Sequence, residues 1–276
     1  MNSSKRRPSI GVFDSGFGGL TVLKELIAQY PDADYHYFGD TARLPYGSKS
    51  AETVAKYAVE AAHFLENRGA DLLVIACNTA TALALDCITN AAHVPVIGVV
   101  EPGAEQASAA SKNRRVVVVG TEATVASHAY KKALEVRGIE VKEKACPLLV
   151  PLVEEGWVEH PVTQEVAQIY LNEAFADGFR DADVLVLGCT HYPLIKPVLR
   201  RAAPDHVAIV DSAHSTATVV ARKLRDQTGT VSTQAVTPPA TGLRFFATDS
   251  VEKFRRLGPR FLGHPVESVE HVDLKE

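Results

Sequence analysis

The sequence predicts an α/β protein made of two similar, doubly wound halves whose sheets are mainly parallel. Three observations predict it. Short apolar, β-branched runs alternate almost throughout with Ala/Leu/Glu/Lys-rich stretches of helical length, the pattern of βαβ units with right-handed crossovers. Two of those runs end in near-copies, Leu72-Leu73-Val74-Ile75-Ala76-Cys77-Asn78-Thr79 and Val184-Leu185-Val186-Leu187-Gly188-Cys189-Thr190-His191. In the same way, Ile10-Gly11-Val12-Phe13-Asp14-Ser15 can be laid on Val116-Val117-Val118-Val119-Gly120-Thr121. The offsets are 112 residues for the cysteines and 106 for the opening runs, too long for a solenoid repeat. They fit two half-molecules, each running strand–helix–strand–helix–strand–Cys and each offering one thiol to a shared cleft.

Taken in order, the expected strands are Ser9–Asp14, Asp34–Phe38, Leu72–Ala76, Val94–Ile97, Val116–Val119, Ile139–Lys144, Val184–Gly188, Val207–Val210 and Arg244–Ala247. Their near-continuous apolar character is that of parallel strands buried on both faces. The expected helices include Ser50–Arg68, Ala80–Asn90, Thr124–Arg137, Pro161–Ala176, Ser212–Gln227 and Ser250–Leu262. Gly69 and Gly138 follow helical runs, where C-cap glycines belong. The strand Arg244–Ala247 and the helix after it have no counterpart in the second half and are expected to return to the first. The domains are therefore placed at residues 1–98 plus 211–276 and at 99–210, with the Thr/Gly/Pro-rich segment Thr228–Thr241 as a surface connection.

A chain of 276 residues is long enough for two domains with a sizeable core. With 46% hydrophobic and 22% charged residues it has the balance of a soluble protein. A net charge of −4 and no basic stripe give no reason to expect nucleic acid. Lys5-Arg6-Arg7 is read as a frayed, solvated end with no apolar h-region behind it. No run approaches the ~18 apolar residues of a membrane span. These features point to a cytoplasmic protein. In that reducing setting the four cysteines form no disulfide framework, and the absence of a CxxC spacing argues against zinc. Cys87 and Cys146 are read as packing residues.

In open α/β sheets, sites form beyond the carboxyl ends of the strands. Cys77 sits at such an end and opens a helix, whose N-terminus lowers a thiol pKa and binds carboxylates. Cys189 is followed after one residue by His191, a proton partner of suitable pKa. Asp14-Ser15-Gly16-Phe17-Gly18-Gly19 fits neither the GxGxxG nor the Walker fingerprint and reads as a tight strand-to-helix turn capped by Asp14 or Ser15. A carboxylate near a thiol raises its pKa, so Asp14 suits handling a proton or steering an ammonium group. Pro45-Tyr46-Gly47 reads as a lid loop whose Tyr46 touches a small polar ligand. Glu154-Glu155 by itself reads as solvated surface. One thiol on each side of a carbon suits moving a proton from one face to the other, whereas a single-nucleophile hydrolase leaves the second Cys without a purpose.

Taken together, Asp14-Ser15-Gly16-x-Gly-Gly, Pro45-Tyr46-Gly47, Cys77-Asn78-Thr79-Ala80 and Gly188-Cys189-Thr190-His191-Tyr192-Pro193, in this order, resemble the glutamate racemases. Gly120-Thr121 and Asp249-Ser250-Val251-Glu252-Lys253-Phe254 also fit. The resemblance spans nearly the whole chain. It implies two α/β domains related by a pseudo-two-fold axis, facing each other across a cleft, with no cofactor and no metal. It further implies Cys77 and Cys189 as the two acid/base residues, assisted by Asp14 at the first thiol and by Glu154 and His191 at the second. Asp14, Ser15, Pro45, Tyr46, Gly47, Asn78, Thr79, Thr121, Thr190 and His191 would line the binding site for D- or L-glutamate, in a homodimer supplying D-glutamate for peptidoglycan. Aspartate and hydantoin racemases share the two-cysteine plan and remain an alternative, as does a protein-binding regulator, which would not need both thiols intact.

Overall fold

The computed structural model describes residues 6–228 and 242–274. Expectations for Lys5 and for most of the segment Thr228–Thr241 fall outside the described residues. The first half runs β1 (Ser9–Asp14), α1 (Leu20–Gln29), β2 (Asp34–Gly39), α2 (Ala51–Asn67), β3 (Leu72–Ile75), α3 (Asn78–Ala91) and β4 (Val96–Gly98). After α4 (Val100–Ala110) the second series is β5 (Arg115–Gly120), α5 (Glu122–Ser127), α6 (Ala129–Glu135), β6 (Glu140–Ala145), α7 (Leu149–Glu154), α8 (Pro161–Ala174), β7 (Val184–Gly188), α9 (Lys196–Ala202) and β8 (Ala208–Asp211). The chain closes with α10 (Ser212–Thr228), β9 (Leu243–Ala247), α11 (Val251–Leu262) and the two-residue β10 (Glu270–His271).

Two sheets form, with all the described strand pairs parallel. The larger has the order β10-β9-β2-β1-β3-β4 and the smaller β6-β5-β7-β8. Leaving out β9 and β10, both sheets place their first strand centrally, the second on one side and the third and fourth on the other. Register repeats as well: Phe13 pairs with Ile75, and Val119 with Leu187. Each cysteine lies two residues past the third strand's partner in that register, so both leave the carboxyl edge at the same place. β9 adds to the first sheet by pairing with β2.

The strands form where they do because both of their faces are covered. Along β1 and β3, Ile10, Val12, Leu72 and Val74 enter one apolar core while Phe13, Leu73 and Ile75 enter another on the opposite face, as a period of two requires. In the second sheet Val117, Val119, Leu185 and Leu187 join the first of these cores, whereas Val116, Val118, Val184 and Val186 face a third. One continuous core therefore contains one face of each sheet, with α1 and α10 packed between them. Helix α2 shows the matching helical pattern. Ser50 caps it by accepting the Thr53 N–H, and it buries Val54, Ala58, Ala61, Ala62 and Leu65. Gly69 and Gly138 both take the left-handed conformation expected of them.

Several expectations are corrected. The single helix Thr124–Arg137 is broken in two, because His128 adopts φ 55° and closes α5. Its ring is fixed by Glu143, with Nδ1 and Oε2 2.6 Å apart. Helix α3 begins at Asn78, with Cys77 itself as the N-cap. Cys87 is exposed: α3 turns Ala80, Ala84 and Ile88 inward, and Cys87 falls off that stripe. Cys146 is buried as expected. Arg6 pairs with Asp71, and Arg7 donates to the carbonyls of Pro31 and Ala33, so these residues are tied down rather than frayed. Helix α7 and strand β10 were not among the expected elements. No helix among the described residues is long and apolar enough to cross a membrane.

Tyr130 of α6 donates to Asn78 Oδ1 at 2.6 Å, and Asn78 Nδ2 donates to Ser212 at 3.3 Å. This buried chain joins elements that follow β3, β5 and β8. Tyr130→Phe leaves the Asn78 carbonyl without that donor, and an urea unfolding curve should show a loss of about 1–3 kcal/mol. A midpoint equal to that of the parent would show that the chain is not structural.

Candidate active site

The carboxyl edges of the two sheets enclose a cavity of about 390 Å³, within the range of small-ligand sites. Its walls carry Ser15, Pro45, Tyr46, Gly47, Cys77, Asn78, Thr79, Thr121, Glu154, Cys189, Thr190 and His191. Of the residues singled out from sequence, only Asp14 lies behind the wall, fully buried beneath the loop after β1. Gly16, Phe17, Leu44, Ser48, Glu122, Pro147, Val150, Pro151 and Glu155 complete the lining and were not assigned to the site from sequence.

Cys77 caps α3 with its sulfur, accepting the Ala80 N–H at 3.4 Å, and its thiol donates to Ser15 Oγ at 3.5 Å. The helix N-terminus was expected to make this thiol more acidic. Instead burial, then the neighbouring Asp14 charge, push it up to about 12, outweighing the hydrogen bonds to Ala80 and Ser15. Asp14 is also shifted upward, by its own burial. Its Oδ2 accepts the Gly16 N–H at 2.9 Å, and Oδ1 has no hydrogen-bond partner among the described residues. Neither Asp14 nor Ser15 caps α1, which starts later, at Leu20, behind Gly19.

The wall around Cys189 is built differently. His191 Nδ1 lies 3.9 Å from Cys189 Sγ, and Nε2 lies 3.3 Å from Glu154 Oε1. Burial alone would pull the imidazole down, but its hydrogen bonds to Cys189 and Glu154 outweigh this and hold it at about 10. For Glu154, burial works upward, but hydrogen bonds and charge from His191 and Lys253 bring it down to about 2. At neutral pH the pair is imidazolium and carboxylate. Glu154 is thus no solvated surface residue: it ends α7, with its side chain 19% exposed, and reaches Cys189 only through His191.

The loops make close approach possible. A Cβ on Gly18 would overlap Thr190 Oγ1 and the His191 ring, so only glycine lets the loop after β1 lie against the second thiol's wall. Thr21 Oγ1, in the first turn of α1 behind this loop, donates to the Thr190 carbonyl at 3.0 Å. Tyr46 lines the cavity and also anchors its loop: it is buried against Phe13, and its hydroxyl donates to Asp40 at 2.5 Å. Thr79 Oγ1 meets Thr121 at 3.0 Å and Thr124 at 3.2 Å across the cleft. The result is a small chamber lined by both thiols, with the start of a helix beside one and a cation beside the other.

A family model described as Asp/Glu/Hydantoin racemase matches residues 10–220. The chain is 61% identical to the glutamate racemase of Koribacter versatilis, covering 98% of this chain and 99% of that one. It is 47% identical to the glutamate racemase of Geobacter metallireducens, with 97% of each covered. Among solved structures, the glutamate racemase isoform RacE1 of Bacillus anthracis superposes with a TM-score of 0.87 at 37% identity, over 97% of this chain and 98% of that one. The Francisella tularensis glutamate racemase in complex with D-glutamate gives 0.86 at 36% identity, with the same coverage. An aspartate racemase of Picrophilus torridus shares the fold, with a TM-score of 0.57 at 18% identity over 78% of this chain and 94% of that one.

The charges make two predictions. Glu154→Gln should lower the His191 titration midpoint from about 10, leaving the part of the upward shift that Cys189 supplies, as read by imidazole NMR. Stability from a raised histidine is complete below 6.5 and is lost as pH rises toward 10. The parent should therefore lose stability over that interval, and the variant should lose less. Asp14→Asn removes the charge opposing the Cys77 thiolate. Alkylation of Cys77 at about pH 9 should be faster in the variant than in the parent; an unchanged rate would mean that burial alone sets the thiol.

Proposed function

The chain belongs to the Asp/Glu/hydantoin racemase family, and we propose that it interconverts L- and D-glutamate by direct proton transfer between the α-carbon and the thiols of Cys77 and Cys189. The observation that carries this reading is the placement of the two thiols in opposite walls of one chamber, at equivalent points of a repeated fold. Relatives of 61% and 47% identity over nearly the whole chain bear the name glutamate racemase, which favours glutamate over aspartate.

In the D-to-L direction the Cys77 thiolate removes the α-proton, forming the S–H bond as the C–H bond breaks. The electron pair stays on the substrate as a carbanion delocalised into its carboxylate. Cys189 then gives its proton to the opposite face and is left as thiolate, so protons balance, and the reverse direction exchanges the roles. Backbone N–H groups at the start of α3 and the Thr79 and Thr121 hydroxyls suit the substrate carboxylate, where charge grows. The substrate ammonium offsets Asp14 and so favours a Cys77 thiolate that burial and the Asp14 charge oppose. On the other side the imidazolium of His191 supports Cys189 as thiolate and can return a proton to it. Positioning between two fixed thiols supplies a further part of the rate. The scheme requires no cofactor. The same reading carries a cytoplasmic homodimer that feeds D-glutamate to peptidoglycan synthesis.

The test is incubation of the purified protein with D-glutamate in D₂O under a thiol reductant, following optical rotation and α-deuterium together. Rotation should vanish as deuterium enters the product. Cys77→Ser and Cys189→Ser should each lower racemisation by about 10²-fold or more, while Cys189→Ser keeps slow α-exchange on D-glutamate. Racemisation by either variant at the parent rate would overturn the two-thiol scheme. Turnover of aspartate but not glutamate would correct the substrate.

A further inference from the structure

The segment Asp249–Phe254 matches the family pattern yet has no part in the scheme above. It opens α11, whose strand β9 belongs to the first sheet. One stripe of this helix nevertheless lies against the second thiol's wall. Lys253 Nζ donates to Glu154 Oε2 at 3.0 Å, while the other carboxylate oxygen faces His191. Two turns on, Phe261 meets the His191 ring edge-on, with centroids 5.2 Å apart at 83°. Beside it, the Arg260 guanidinium fills the place that a Cβ on Gly156 would need. Positions 253, 260 and 261 share a helix face by their spacing of seven and eight.

Lys253 is itself guided. Its ammonium stands 5.4 Å from the centre of the Phe17 ring, and Phe17 packs edge-on against Phe254. The start of α11 is pinned by Asp249 N–H donating to Thr41 Oγ1 and by Thr248 donating to Asp40 Oδ1, both at 2.9 Å. Asp40 is the same carboxylate that holds Tyr46. One buried acid thus fixes both the loop over the cleft and the helix that reaches across it.

Resting on the racemase reading, we propose that Lys253 is a positioning residue for Cys189: it clamps one oxygen of Glu154 so that the other holds the His191 imidazole against the thiol. A carboxylate at the end of a six-residue helix has rotamers that turn it to water. Engaging both oxygens in opposite directions removes them, and the imidazole then keeps Nδ1 toward sulfur. The groups acting on or touching His191 are Cys189, Glu154, the Asp14 charge and the Phe261 ring. Lys253 acts on it only through Glu154. As a partly exposed ion pair, the lysine contributes little to stability. A large functional effect with a small stability effect is the mark of positioning.

The experiment compares Lys253→Met and Lys253→Arg with the parent in the full chain. Lys253→Met should keep its melting temperature within ~3 °C and lose about tenfold or more in kcat, with a smaller change in KM. Iodoacetamide labelling, read peptide by peptide across pH, should show a changed profile at Cys189 and an unchanged one at Cys77. Lys253→Arg should restore most of both. A parent-like kcat with a parent-like Cys189 profile would overturn the proposal, and so would equal changes at both thiols, which would indicate general loosening. The labelling readout needs no turnover. If the parent racemised no substrate, the proton-transfer reading would fall while the Cys189 profile still reported on the clamp.

Discussion

The cleft depends on a single cation held in the right place. A thiol shut away from water resists ionisation, and so does a carboxyl group, since burial penalises the charged form of each. In the wall of Cys77 and Asp14 this penalty outweighs the hydrogen bonds that oppose it, and both groups are displaced upward. The wall of Cys189 is built differently: His191 stands between the sulfur and Glu154 and keeps its proton to about 10. On the proposed mechanism, a site that abstracts from one face and donates to the other can use this inequality. One sulfur has a protein cation beside it. The other would become basic once a positive substrate offsets Asp14, which would link proton abstraction to binding.

The inequality is laid on a frame that is otherwise repeated. Both sheets place their strands in the same relative order, and both cysteines leave the same edge in the same register. What differs is the residue next to them. β1 ends in Asp14 where β5 ends in Gly120, and Cys189 is followed by Thr190-His191 where Cys77 is followed by Asn78-Thr79. The repeat supplies geometry, two thiols converging on one chamber, and the divergence supplies electrostatics.

Much of this was legible in the chain. Runs such as Leu72–Ile75 and Val184–Gly188 are buried on both faces, which is what continuous apolar strands signify. The placement of the cysteines followed from where those runs stop. What escaped the sequence depends on contacts between distant segments. The direction for Cys77 was divided in the sequence, a helix N-terminus pulling one way and Asp14 the other, and burial, which acts through the tertiary fold, decides it upward. Glu154 looked like half of a solvated pair, since the short helix α7 has too few residues to show a period and its partners lie 37 and 99 positions away. The anchoring of Tyr46 escaped because Asp40, its acceptor, gives no sign in sequence of being buried. His128 broke a helix that its neighbours favour, because Glu143 rewards the left-handed turn with a contact.

The part of the chain outside the repeat completes the argument. β9 and α11 have no equivalents in the second series, and a strictly duplicated molecule would have no element poised above the wall between Glu154 and Cys189. By adding one strand to the first sheet, the chain gains a helix that starts from the Asp40 cluster and ends at the His191 ring. That helix ties the first sheet to the acid–base pair of the second, so an opening of the cleft must either carry α11 with the second wall or pull Lys253 off Glu154. In the second case the imidazole is released when the chamber opens and is held again when it closes. Proton transfer at Cys189 would then be confined to the closed, water-poor state, in which a carbanion survives long enough to be reprotonated from the other side.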